Sequence, residues 1–153
     1  MTKSQMLHLF RALVKELTDG ELTVKAGDVT ELDFENDTIT LNLDGTEPDL
    51  GFMRHLCEVH KERHTYEIDE RIWAVLHEVG HYMTVDDLCE GYEEEEEKPR
   101  ALCALLSTEE VAASPRLQDL YFNLPSEWEA TEWACEVVES DLAKYKELTA
   151  LLD

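Results

Sequence analysis

The chain has 153 residues and a mass of 17.6 kDa, a size that predicts one domain over residues 1–153. Its 43% hydrophobic content and three Trp can fill a core of ordinary size, which argues against a disordered chain. The formal net charge of -23 repels phosphate backbones and anionic lipid, so it argues against direct binding to nucleic acid or membrane and favours a basic partner.

The cysteines indicate a reducing compartment. They are scattered, without a CxxC pair, at Cys57, Cys89, Cys103 and Cys135. The first residues lack the uninterrupted apolar stretch of a signal peptide, and no apolar run is long enough to span a membrane. These features predict a cytoplasmic protein with free thiols.

The first predicted element is a helix in SQMLHLFRALVKEL (4–17), where apolar residues recur at helical spacing. An Asp-Gly pair at 19–20 would end this helix. Three short runs follow, ELTVKA, VTELDF and TITLNL, separated by turn signals at 27–28 and 36–37. Their alternating apolar residues predict a small antiparallel meander.

The next segment is typical of a loop (44–51), then a helix in FMRHLCEVHKERH (52–64), then a stronger amphipathic helix over 69–84. The run GYEEEEEKPR (91–100) is typical of a solvated loop that folding does not need, because clustered like charges repel.

Further helices are predicted around 108–113 and, as one long C-terminal helix, from Ser126 onward. The fold class predicted from all these elements is α+β, with a small antiparallel sheet packed against helices.

The stretch AVLHEVGHYMT (74–84) carries the main chemical signal. His77 and His81 lie one helical turn apart, so both imidazoles can meet one Zn²⁺ ion. Glu78 points beside that ion and suits a general base. Gly80 would let another backbone approach this helix closely. A second pair, His60 and His64, has the same spacing, but its charged surroundings favour surface histidines.

A catalytic zinc usually takes three protein ligands, and Asp87 is one candidate for the third. It lies ten residues after His77, the spacing of a third ligand that follows a Gly-dependent turn. Thr84 stands where that Gly would be, so the turn is poorly encoded.

The other candidates lie in LPSEWEATEWACE (124–136). Glu127 shares a helical face with Ala130 and Ala134, whose small side chains would let this helix pack closely against the histidine helix. Ser126 and Glu129 have the spacing of a capping box, which would occupy Glu129. Glu127 is therefore favoured as third ligand, with Glu129 and Asp87 as alternatives.

IWAVLHEVGHYMT followed by EWEATEWACEVV resembles the ImmA/IrrE-type metallopeptidase family, which pairs a HExxH helix with a later helix carrying Glu-x-x-Ala and then an aromatic-Ala pair. The residues that match this second motif in register are Glu127, Ala130, Trp133 and Ala134. Thr131 stands where the family commonly has Asn or Asp.

The resemblance implies a zincin-like, gluzincin-like fold in which His77, His81 and Glu127 bind Zn²⁺ and Glu78 is the base. The expected function is a zinc-dependent endopeptidase acting on a basic protein, such as a DNA-binding regulator; that substrate is implied by the family.

A non-enzymatic acidic protein that sequesters a basic partner is the alternative, with zinc structural or absent. A fourth protein ligand would favour it, and Cys57, Cys89 and Cys103 are candidates for that position. The oxyanion stabiliser stays unassigned among four residues: His55, His60, His64 and Tyr121.

Overall fold

A computed structural model describes residues 1–44 and 67–153. The predicted loop at 44–51 (beyond its first residue), the predicted helix at 52–64, and with them His55, Cys57, His60 and His64, lie outside the described residues.

The described residues form three strands and seven α-helices, which confirms the α+β prediction. In chain order these elements are α1 (Lys3–Leu17), β1 (Thr23–Ala26), β2 (Glu31–Asp33), β3 (Thr38–Leu41), α2 (Glu70–Thr84), α3 (Tyr92–Ala104), α4 (Thr108–Ala112), α5 (Pro115–Phe122), α6 (Pro125–Ser140) and α7 (Leu142–Leu152). A 3-10 turn, Val85–Asp87, follows α2. No helix in the described ranges combines the length and the apolar character that crossing a membrane requires.

The sheet differs from the predicted meander in one pairing. Its strand order is β1-β3-β2; β2 is antiparallel to β3, as predicted, but β1 is parallel to β3. The alternation of apolar residues shows which face of a strand is buried, but it does not determine which strands become neighbours. β2 is therefore an edge strand within the described part of the chain.

Helix α2 lies at the centre of the core because its apolar face is continuous. Five of its side chains are at most 1% exposed: Ile72, Trp73, Val75, Leu76 and Val79. Asp69 caps the first turn by accepting a hydrogen bond from the Arg71 amide at 2.9 Å. Core residues of α1, the sheet, α6 and α7 surround α2 and hold it rigidly.

The acidic run corrects the prediction of a solvated loop, because residues 92–104 form helix α3. Glu is a good helix former, and acidic residues in a first turn interact favourably with the helix dipole. Glu96 is only 2% exposed, so the prediction that the run is wholly solvated is also wrong.

The predicted long C-terminal helix is two helices, since the backbone at Asp141 departs from helical geometry between α6 and α7. The predicted capping box at its start is also absent. Pro125 occupies the first helical turn, which makes Leu124 the N-cap and moves Ser126 inside the helix. The helix predicted around 108–113 is present as α4.

Candidate metal centre

Helix α2 presents His77 and His81 on one face. The two ring centroids are 4.6 Å apart and the ring planes are nearly perpendicular, at 77°. The side chains are 8% and 14% exposed, respectively. Both imidazoles are therefore largely buried, and a small part of each remains accessible at the surface of α2.

Glu127, in the first turn of α6, completes a three-residue group. Its Oε2 lies 2.9 Å from His77 Nε2 and 3.3 Å from His81 Nε2. One ligand atom from each of the three residues lies within 4.8 Å of the other two. In a tetrahedral site with bonds of about 2.0–2.2 Å, donor atoms lie roughly 3.3–3.5 Å apart. Two imidazoles and one carboxylate at these distances could hold a metal ion.

The short distances from Glu127 to the two histidines depend on close packing between α2 and α6. A Cβ built on Gly80 would overlap the carbonyl oxygen of Ala130 and come within 2.9 Å of its Cα. Ala130 and Ala134 are fully buried. The absence of a side chain at position 80 therefore sets the distance at which a carboxylate on α6 meets the imidazoles on α2.

Thr131 links the two helices on the other side of His77. Its hydroxyl donates to the Glu127 carbonyl oxygen at 2.9 Å and lies 3.2 Å from His77 Nδ1. Because that hydroxyl has one proton, Thr131 Oγ1 can accept from a protonated Nδ1. This contact suits the tautomer that leaves His77 Nε2 free for a metal, whereas without a metal Nε2–H can donate to Glu127 Oε2 at 2.9 Å.

The protonation states of Glu127 and His77 suit a bound cation. Burial raises the pKa of the Glu127 carboxyl, but His81 and His77 outweigh burial and hold that pKa well below its ordinary value. Burial is the largest influence on His77 and lowers its pKa. The resulting ionised carboxylate of Glu127 and neutral imidazole of His77 are the forms that metal binding requires. For His81, burial lowers the pKa but the Glu127 carboxylate outweighs burial and raises it, so His81 would release a proton on binding a metal.

A cavity of about 650 Å³ opens beside these residues. Glu78, which is half-buried, lines it together with the three candidate ligands. β2 forms part of its wall, as do Glu93 and Glu97 of α3. The structure therefore brings the predicted base and the predicted ligands to one cavity.

The alternative ligands lie elsewhere. Asp87 is exposed in the 3-10 turn after α2, and Glu129 is exposed on α6. Neither belongs to the metal-binding group found among the described residues. Cys89 and Cys103, the described candidates for a fourth ligand, are free thiols and are also outside that group.

Two residues at this site were missed by the sequence analysis. Arg100 Nη2 lies 3.1 Å from Glu127 Oε1, the oxygen turned away from the histidines, and Arg100 Nε donates to Glu96 Oε2 at 2.9 Å. The available signal was the i, i+4 spacing of Glu96 and Arg100, which is typical of an ion pair on a helix. The surrounding run of like charges concealed it.

Tyr121 of α5, one of the four candidates for oxyanion stabiliser, also lines this cavity. Burial and the neighbouring Glu127 carboxylate raise the pKa of its hydroxyl, so Tyr121 remains a neutral hydrogen-bond donor.

In comparisons with known proteins, no family model, curated protein or solved structure matches this chain.

Proposed function

We propose that this chain is a zinc-dependent endopeptidase. The observation that supports this most strongly is the meeting of His77, His81 and Glu127 at one point, with Glu78 beside them in a cavity. Two His and one Glu are a typical ligand set of catalytic zinc, and they leave a coordination position for a reactant. Membership of the ImmA/IrrE-type family is part of this proposal, supported by the two motifs that carry these residues.

In this proposal the protein residues divide the work of hydrolysis. A bound zinc supplies Lewis-acid activation of water and of the peptide carbonyl. Glu78 accepts a proton from the attacking water and delivers it to the leaving amine. Tyr121 is the proposed donor to the developing oxyanion, because its neutral hydroxyl lies at the same cavity.

The proposed substrate is an extended, basic segment of a protein. β2 lines the cavity and, within the described residues, has a strand neighbour on one side only. A peptide that pairs with such an edge gains main-chain hydrogen bonds. Glu31, Glu70, Glu93 and Glu97 also line the cavity, and the whole chain carries a charge of -23, which attracts basic sequences. A basic regulatory or DNA-binding protein fits this chemistry.

The test combines metal analysis with a cleavage assay on unstructured basic proteins. The parent should contain about one zinc per chain and cleave, His77→Ala should lose the zinc, and Glu78→Gln should keep the zinc and lose cleavage. Glu94→Gln, the same change at an exposed position of α3 outside the cavity lining, is the matched control and should retain cleavage. Cleavage by Glu78→Gln at the parental rate, or full zinc content in His77→Ala, would contradict the proposal.

The second candidate function is a non-enzymatic acidic protein that sequesters a basic partner, and the observation that favours it is the net charge of -23. Its signature would be tight, salt-sensitive binding of a basic protein that stays intact, with Glu78→Gln binding as well as the parent.

A further inference from the structure

One buried carboxylate of the acidic helix α3 contacts the first turn of α6, next to the candidate ligand Glu127. Glu96 Oε1 accepts a hydrogen bond from the Ser126 amide at 2.8 Å, and Glu96 Oε2 accepts from the Ser126 hydroxyl at 2.8 Å. Its neighbours Glu93, Glu94, Glu95 and Glu97 are exposed. The run therefore contains one carboxylate whose environment differs from that of the others.

Glu96 caps the N-terminus of α6, although it lies far from α6 in the sequence. The N-cap residue of α6, Leu124, has no side-chain oxygen to offer, so the amides of the first turn need another acceptor. Glu96 accepts from one of these amides, and its negative charge suits the helix N-terminus. The amide concerned belongs to the residue directly before Glu127.

Arg100 joins this cap to the candidate ligand itself. Its Nη2 donates to Ser126 Oγ at 2.7 Å and to Glu127 Oε1 at 3.1 Å, while its Nε donates to Glu96 Oε2. One planar guanidinium thus contacts Glu96, Ser126 and Glu127 at once. A Lys ammonium, a single point of charge, does not reproduce this fork.

We propose that Glu96 and Arg100 are positioning residues for the third metal ligand, an inference that rests on the proposed metal centre. Arg100 occupies Glu127 Oε1, which leaves Oε2 directed at the two imidazoles. Glu96 fixes the first turn of α6 on which Glu127 is carried. The acidic run then has a function beyond its charge, because it contributes the support of the metal centre.

The test compares zinc affinity in four variants, measured by competition with a chelator of known affinity. Arg100→Gln and Glu96→Gln should each weaken zinc binding about 10–100-fold, as is usual when a contact that orients a ligand is lost. Arg100→Lys, which keeps the charge but loses the fork, should fall between Arg100→Gln and the parent. Glu95→Gln, the same change at an exposed position of α3, is the control and should bind like the parent.

Two further measurements separate positioning from general destabilisation. Thermal unfolding without metal reports on the fold, and Arg100→Lys serves where Arg100→Gln does not fold. The visible absorption of bound Co²⁺ reports on ligand geometry, and it should change in the Arg100 variants but not in Glu95→Gln.

Parental zinc affinity and an unchanged Co²⁺ spectrum in folded Arg100→Lys and Glu96→Gln would overturn the inference while leaving the proposed metal centre standing. If the parent itself bound no zinc, the metal centre would be wrong and the inference would fall with it.

Discussion

Glu127 contacts both imidazoles through one carboxylate oxygen and the Arg100 guanidinium through the other. We expect Glu127→Ala to weaken zinc binding markedly, since it leaves two histidines. Asp87→Ala and Glu129→Ala should bind zinc like the parent, because both side chains are exposed and outside the group.

A zinc titration against a competing chelator, run on these three variants together, checks the prediction. Parental affinity in Glu127→Ala with loss in either of the others would place the third ligand elsewhere in the chain. Glu129→Ala should also leave the free energy of unfolding nearly unchanged, because the capping box that would have involved Glu129 is absent.

Thr131 supports a second prediction at the residue scale. Thr131→Val removes the oxygen beside His77 Nδ1 while keeping the shape of the side chain. We expect zinc affinity to fall about 10-fold, because the imidazole loses the contact that favours its metal-binding tautomer. Thr131→Ser keeps the hydroxyl and should stay close to the parent. Equal affinity in the Val and Ser variants, measured by the same titration, would argue against this role.

At the scale of elements, the distance between α2 and α6 determines how closely Glu127 approaches His77 and His81. Gly80→Ala would push a methyl group against the backbone of Ala130, which cannot yield as a flexible side chain does. We expect a loss of about 1–3 kcal/mol in the free energy of unfolding, and weaker zinc binding as the helices separate.

Chemical denaturation and zinc titration of the same preparation measure both effects of Gly80→Ala. Met83→Ala, a change at an exposed position of α2, is the control and should alter neither quantity much. A Gly80→Ala protein with parental stability and zinc affinity would show that α2 and α6 can accommodate the added methyl group.

Local patterns predicted the elements whose signal is local. The apolar periodicity of α1 and α2 and the His77–His81 spacing each depend on residues within a few turns. The choice of Glu127 over Glu129 depended on a local pattern that is not present. Glu127 does lie with the histidines, but the capping box that was expected to occupy Glu129 is absent. Pro125 starts the helix two residues earlier than that pattern assumed, so Leu124 and not Ser126 is the N-cap.

The features that the sequence analysis missed depend on contacts between distant residues. Glu96 is buried because it meets Ser126, thirty positions later, and no local pattern encodes that meeting. The parallel pairing of β1 with β3 likewise depends on which strands become neighbours in the folded sheet. Both are set by tertiary packing, which overrides local propensity.

On the scale of the whole molecule, the net charge of -23 opposes compactness through self-repulsion. Raising NaCl from about 10 mM to about 0.5 M shortens the screening length several-fold, so we expect the thermal unfolding midpoint to rise by a few degrees. Scanning calorimetry of the metal-free protein measures this shift. The double variant Glu94→Gln, Glu95→Gln, at exposed positions, should show a smaller rise, and a midpoint that falls with salt would contradict the prediction.

Two of the three candidate donors lie on α2 and the third on α6, so an ion held among them would bind the folded chain and not the unfolded one. Folding and metal binding would then be thermodynamically linked. At an ion concentration a thousand times the Kd, the folded state gains about 4 kcal/mol, a large share of the roughly 5–15 kcal/mol that stabilises an ordinary domain. Because cells degrade unfolded chains, the supply of the ion would set how much of this protein persists. The abundance of the protein would then depend on the availability of that ion, a second consequence of the same three side chains.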